Sequence, residues 1–204
     1  TLESFFLPVV PVAPPPTLQR TYITADDSDG RRFGNMLFCY ASMLGIAARN
    51  NMTPVMPSSS RLVSVFNIQT ALSPDVTNTL GMHKVHEELG RRACAYDFST
   101  QNLPKANTKL LGYYQSWKYL EGAEGEVRLN LKFRDGYLNP ALDFLRRHPL
   151  PSTDYVRVGI HVRRGDMLQP YYQRYGYTVP DADYFKRAMQ YFGTKFEHIQ
   201  FVVC

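Results

Sequence analysis

The sequence predicts an α/β protein built from two Rossmann-type units. Three observations carry that reading. Short β-branched or aromatic runs alternate with stretches at helical spacing, beginning with Thr21–Thr24 and Asn35–Arg49. Strand, helix and strand in that order argue for a parallel sheet with crossover helices. A polar, glycine-bearing loop from Asp26 to Gly34 joins the first strand to the first helix. Further on, an apolar strand over Arg157–Val162 ends in charge, as His161-Val162-Arg163-Arg164-Gly165-Asp166. In open α/β sheets, ligands bind beyond the carboxyl ends of the strands. Two guanidiniums fixed there suit a diphosphate, because each gives planar, paired hydrogen bonds to phosphate oxygens.

Composition bounds the class. With 44% hydrophobic and 20% charged residues in 204 positions, a disordered or coiled-coil chain is excluded. The net charge of +5 favours an anionic ligand or surface. No Walker-type loop and no interleaved basic and aromatic repeat is present, so no nucleic-acid partner is expected. Cys39, Cys94 and Cys204 give no disulfide framework. Asn51-Met52-Thr53 is a glycosylation acceptor triplet. No run is long and apolar enough to span a bilayer. Thr1 in place of a start methionine, and an ending inside the apolar run Phe201–Cys204, lead us to expect a piece of a longer chain with its second unit truncated.

Residues 1–19 hold five prolines, Pro8, Pro11, Pro14, Pro15 and Pro16, and read as a stem or linker. The first unit is expected over 20–150. After the first strand, Leu37, Tyr40, Ala41, Leu44 and Ala48 form a helical stripe. Pro54-Val55-Met56 is a second strand, residues 57–108 are mixed, and Lys109–Tyr114 is a further strand. Arg128–Phe133 and Pro140–Arg147 have helical character, and Pro149 and Pro151 end the second. A boundary near Leu150–Tyr155 opens the second unit, 151–204. There the Arg157–Val162 strand precedes a helix capped by Asp181 or Asp183, and His198–Val203 is the next strand.

Three segments stand out as sites, each with a plainer alternative. Gly30-Arg31-Arg32-Phe33-Gly34-Asn35 is a βα turn where glycine lets backbone approach an anion at a helix N-terminus, with Asn35 able to cap it. It is also readable as a tight turn with exposed arginines. Gly112-Tyr113-Tyr114-Gln115-Ser116-Trp117-Lys118-Tyr119 mixes aromatics with polar groups, as sugar-binding surfaces do, or as core aromatics do. In the third segment, an extended strand would set His161 and Arg163 on one face and Val162 and Arg164 on the other. Gly165 allows a sharp turn, and Asp166 orients an arginine or caps the next segment. Its alternatives are a strand end with solvated charges and an Arg164-Gly165-Asp166 adhesion triplet. His83 and His86, three apart beside Glu87, have helical metal-pair spacing without further ligands, and read as a solvated face.

Together the three segments resemble the galactoside α-1,2-L-fucosyltransferase family. The Gly-Arg-Phe-Gly-Asn opening and its helix, the Gly112–Tyr119 segment and the His-x-Arg-Arg-x-Asp signature at His161–Asp166 occur in the family's order. The extra arginine before Phe33 leaves Arg31 or Arg32 as the match, Arg32 fitting better. The resemblance implies a GT-B-like fold and an inverting transfer of L-fucose from GDP-β-L-fucose to the 2-hydroxyl of a terminal galactose on a glycan. It implies no cofactor and no required metal. It further implies a type II Golgi protein whose catalytic domain is lumenal and which meets the membrane only through an N-terminal anchor outside this sequence. Carried over residue by residue, it gives His161, Arg163 and Arg164 as catalytic, with Asp166, Arg32, Gly34 and Asn35 joining them at the donor. Tyr114, Gln115 and Trp117 fall to the acceptor, while Asn51 is a glycosylation candidate from its triplet alone. A non-catalytic binder of sugar nucleotide or glycan is the main alternative.

Overall fold

The computed structural model describes residues 20–26, 32–72, 81, 83–86 and 94–204. The expected stem over 1–19, together with Gly30 and Arg31, lies outside them. The described chain forms two compact units, dividing between Leu138 and Asn139. Both are α/β with parallel strands, the fold class expected of the sequence.

The first unit is organised by strand β1 (Tyr22–Ala25), helix α1 (Phe33–Asn50) and strand β2 (Thr53–Pro54). With β5 (His83–His86) and β6 (Thr108–Leu111) they make a sheet of order β2-β1-β6-β5, every pair parallel. β2 takes the edge, where a proline is tolerated. Its ladder donors are the Thr53 N–H to the Thr21 carbonyl and the Val55 N–H to the Ile23 carbonyl, both 2.8 Å, so Pro54 costs no bond. The single strand expected over Pro54-Val55-Met56 is divided. Val55 bonds back to β1, whereas the Met56 N–H turns to the Thr70 carbonyl at 3.0 Å. There β3 (Met56–Pro57) pairs with β4 (Ala71–Leu72). His83 and His86 lie on edge strand β5, not on a helix.

α1 is the core of this unit. The stripe expected of it is too narrow, because Cys39 to Ala47 are buried all round. Such a helix is enclosed on every side. It packs on β1 and β2 and on the short helix α2 (Arg61–Val65). It also meets α3 (Glu124–Asn130) and the 3-10 turn Trp117–Tyr119. Asn51 ends it at φ 52°, donating its N–H to the Ala47 and Ala48 carbonyls. Asparagine enters this left-handed conformation more readily than most residues.

Two helices differ from expectation. The helix anticipated over Arg128–Phe133 is α3, Glu124–Asn130, with Glu124 and Glu126 at its positive end. Its last residue, Asn130, is buried. Asn130 Oδ1 accepts from Tyr40 OH and from the Gln69 N–H, each at 3.0 Å. Phe133 then leaves to bridge Phe66, with ring centroids 4.8 Å apart. The helix expected from Pro140 begins earlier, as α4 (Asp135–Arg147). Pro140 sits inside it, forfeiting the bond to the Gly136 carbonyl.

In the second unit β7 (Val156–Ile160) pairs in parallel with β8 (Ile199–Val203) through the crossover helix α6 (Ala182–Gly193). Asp181, rather than Asp183, caps α6 by accepting the Tyr184 N–H at 2.7 Å. The unit begins before the anticipated Leu150–Tyr155 boundary. The Arg157 guanidinium hydrogen-bonds the His148 carbonyl, and Gln200 Nε2 reaches the Pro149 carbonyl at 3.4 Å. Both tie the exit of α4 to the β7–β8 pair.

Packing on α1 makes two outcomes testable. A Cβ added at Gly45 would stand 1.8 Å from the Tyr119 carbonyl oxygen, whereas one at Gly136 meets nothing within 4 Å. Urea unfolding should therefore find Gly45→Ala destabilised by about 1–3 kcal/mol or more, while Gly136→Ala stays within about 1 kcal/mol of wild type. Burial also pushes the Tyr40 hydroxyl from about 10 up to about 12. The folded state then holds this proton while the unfolded state releases it, so stability falls as pH rises between those values. Tyr40→Phe should flatten that alkaline loss in a denaturation series.

Candidate functional site

The three segments singled out in the sequence each follow the carboxyl end of a parallel strand, β1 and β6 in the first unit and β7 in the second. In the first unit β1 feeds α1 and β2 on one side, while β6 and β5 lie on the other. β1 and β6, whose carboxyl ends lead into α1 and into Gly112–Tyr119, are parallel neighbours in this sheet, and ligands of open α/β sheets bind beyond such strand ends.

α1 and the segment after β6 meet there through a row of contacts. Gln115 Nε2 donates to Asn35 Oδ1 at 2.8 Å. The Cys39 thiol lies 3.2 and 3.3 Å from the Gly112 and Tyr113 carbonyls. Ser42 Oγ donates to the Tyr114 carbonyl at 2.7 Å. Gly45 leaves room for the Tyr119 carbonyl. Arg49 Nη2 donates to that same carbonyl at 2.7 Å, and Nη1 reaches the Lys118 and Glu121 carbonyls at 3.3 and 3.4 Å. Steps of three and four place these residues on one helical face. Motif one thus holds motif two by its backbone.

Several expected roles change. Asn35 does not cap α1; the N-cap position is Arg32, without a side-chain cap bond. The helix starts two residues before Asn35, leaving its side chain able to accept from Gln115. Gly34 lies in the first turn, exposed, and a Cβ there would meet nothing within 4 Å. Its smallness is not required by packing within the described residues. Tyr114, expected at an acceptor, is instead core. It is 1% exposed, its ring meets Tyr119 edge-on at 5.6 Å, and its hydroxyl donates to the Val85 carbonyl at 3.2 Å. Its φ of 47° is unusual for an aromatic residue. This turn sends the ring inward and lets the next residue, Gln115, face Asn35. Trp117 remains 65% exposed and available.

In the second unit β7 ends at Ile160, earlier than the strand expected through Val162. Two further bonds, Cys204 N–H to the Ile160 carbonyl at 2.9 Å and Val162 N–H to the Cys204 carbonyl at 2.7 Å, prolong the ladder slightly. The face-by-face alternation expected through Arg164 fails. At φ −125°, ψ −91° Arg164 has left the extended region, because the chain turns into Gly165 at φ 43°. Gly165 makes the turn anticipated for it and opens a 3-10 segment, Gly165–Leu168. His161, Arg163 and Arg164 are exposed, with His161 Nδ1 3.9 Å from Cys204 Sγ. Among the described residues the two guanidiniums make no ion pair. Asp166 is half-buried, and its carbonyl accepts the Gln169 N–H at 3.0 Å. The Arg164-Gly165-Asp166 triplet is therefore part of a hydrogen-bonded turn, not the tip of a free loop as adhesion requires.

A tyrosine cluster was not anticipated from the sequence. Tyr171, Tyr172, Tyr175 and Tyr177 come after the cationic segment, on and beyond helix α5 (Pro170–Arg174). Their rings associate at centroid distances of 5.3 to 6.4 Å, and Tyr171 and Tyr175 are 63% and 62% exposed. Such faces pack against sugar C–H groups or bases. The run Tyr171-Tyr172-Gln173-Arg174-Tyr175-Gly176-Tyr177 was the available signal.

The Asn35–Gln115 contact has a measurable strength. A double-mutant cycle with Asn35→Ala and Gln115→Ala, read by denaturation, should return a coupling of about 0.5–1.5 kcal/mol. Additive single effects would mean that the two motifs are not held together there.

Known proteins share this pattern along the chain. The sequence profile described as "Glycosyl transferase family 11" matches residues 16–204. Galactoside alpha-(1,2)-fucosyltransferase 1 of Leontocebus fuscicollis is 30% identical over 217 residues, covering 98% of this chain and 56% of that protein. The same figures hold for the enzyme of that name from Mico humeralifer. The chain thus spans a little over half the length of the curated relatives it matches. The crystal structure of fucosyltransferase NodZ from Bradyrhizobium superposes with a TM-score of 0.49 at 16% identity, covering 90% of this chain and 78% of that one. With its profile matched across nearly its whole length, the chain belongs to glycosyl transferase family 11.

Proposed function

We propose that the protein transfers L-fucose from GDP-β-L-fucose to the 2-hydroxyl of a terminal galactose on a glycan, with inversion and without a metal. The observation that carries this reading is an arginine pair just past the carboxyl end of β7, without ion-pair partners among the described residues, in a chain of family 11. The names of its relatives support the transferred sugar, the acceptor and the linkage. In the GT-B-like reading, the first unit serves the acceptor and the second the donor. The reading also sets the catalytic domain in the Golgi lumen, attached to the membrane through an N-terminal anchor.

The chemistry is governed by charge. As the bond between fucose C1 and the β-phosphate oxygen breaks, GDP leaves with the electron pair. The galactose 2-hydroxyl attacks C1 from the opposite face and gives its proton to a general base, so β becomes α. Negative charge grows on the diphosphate, and fixed cations there lower the barrier. Arg163 and Arg164 supply them. His161 and Asp166 position the segment, the latter through its turn. Asn35, held by Gln115, and Arg32 offer polar groups beyond the strand ends of the first unit. Gln115 and Trp117 remain on the acceptor side, while Tyr114 supports them from the core.

The test uses the full-length protein, GDP-fucose and a β-galactoside, with GDP release and product linkage measured. Arg163→Ala should lower kcat by about 100- to 1,000-fold, equivalent to about 2.7–4 kcal/mol at the transition state. Wild-type turnover in that variant would overturn the role of the arginine pair. GDP binding by a folded wild-type protein that never turns over would favour a non-catalytic sugar-nucleotide binder.

A further inference from the structure

We propose that Asn51 carries an N-linked glycan, an inference that rests on the lumenal placement given above. Asn51-Met52-Thr53 is the sole Asn-x-Ser/Thr triplet in the sequence. Its geometry separates it from a chance match. Asn51 and Thr53 are exposed, while Met52 between them is 8% exposed and donates its N–H to the Ala47 carbonyl at 3.0 Å. The triplet is therefore pinned at its centre, with both reactive side chains turned outward.

Asn50 and Asn51 make an internal comparison. The Asn50 amide is fully engaged, donating to the Ile46 and Thr100 carbonyls at 2.8 and 2.9 Å and accepting the Leu103 N–H at 2.8 Å. Among the described residues the Asn51 and Thr53 side chains make no hydrogen bond. Only Asn51 is in the triplet. Location also fits. α1 returns from the carboxyl to the amino ends of the strands, so Asn51 lies roughly 24 Å along the helix axis from Asn35. A glycan there stands away from the carboxyl ends of the strands.

The step balances as a group transfer. The Asn51 amide nitrogen attacks the anomeric carbon of a lipid-diphosphate-linked oligosaccharide. A C–N bond forms, the C–O bond to the diphosphate breaks, the lipid diphosphate leaves with the electron pair, and the amide loses one proton to the transferase's base. The Thr53 hydroxyl is the element that the acceptor triplet requires.

The chain is produced in a eukaryotic host behind a cleavable secretory leader, and in parallel the full-length protein is produced with its own N-terminus. Peptide N-glycosidase should lower the mass of the secreted chain by one glycan and leave Asp at position 51 in the peptide map. Asn51→Gln and Thr53→Ala should abolish that shift, and Thr53→Ser should retain it. An unmodified Asn51 in folded chain recovered from the medium overturns the inference and leaves the lumenal placement standing. Cytosolic retention of the full-length protein overturns the placement, and with it the glycan in the native setting.

Discussion

Backbone carbonyls that leave a sheet and enter a protein interior must find donors. In this chain the carbonyls of Gly112, Tyr113, Tyr114, Lys118, Tyr119 and Glu121 find them on one face of a single helix, through Cys39, Ser42 and Arg49. Gly45 is the one position on that face where a side chain would be in the way. This contact fixes the irregular segment that follows β6. The position of Gln115 against Asn35, and the exposure of Trp117, both depend on it.

The same constraint explains the strained residue. Tyr114 sits in the left-handed region because the segment must turn sharply after β6. Such strain costs on the order of 1–3 kcal/mol and persists only where its surroundings over-determine it. Here the carbonyl is held by Ser42, the hydroxyl by Val85, and the ring lies in the core beside Tyr119. A large aromatic side chain becomes the anchor that lets its polar neighbour face Asn35.

The two units offer different chemistry by one architectural device. In each, a parallel strand ends and its chain turns, which leaves polar groups beyond the sheet. After β6 these are amide and aromatic groups suited to neutral hydroxyls. After β7 they are cations without ion-pair partners among the described residues, suited to an anion. That separation explains why a modest net charge of +5 says little about function until the charges are placed.

Much of the architecture was legible from residue order. Short β-branched runs and helical spacing are local properties, so β1, α1, β7, α6 and β8 were recoverable, as was the turn at Gly165. The place of the arginine pair just past β7 was legible because the apolar run of that strand gives way to charge in the sequence itself. Tertiary structure decided the rest. Tyr114 and Trp117 look alike in sequence, yet one is core and the other exposed, because only the fold fixes which ring faces α1. Asn35 had the composition of a cap but became the acceptor for Gln115, since the helix began earlier. Pro140 read as a helix start, although packing accommodates it inside one. Periodicity encodes what a residue's neighbours along the chain permit; long-range contacts choose among those options, and they exist only once the chain has folded.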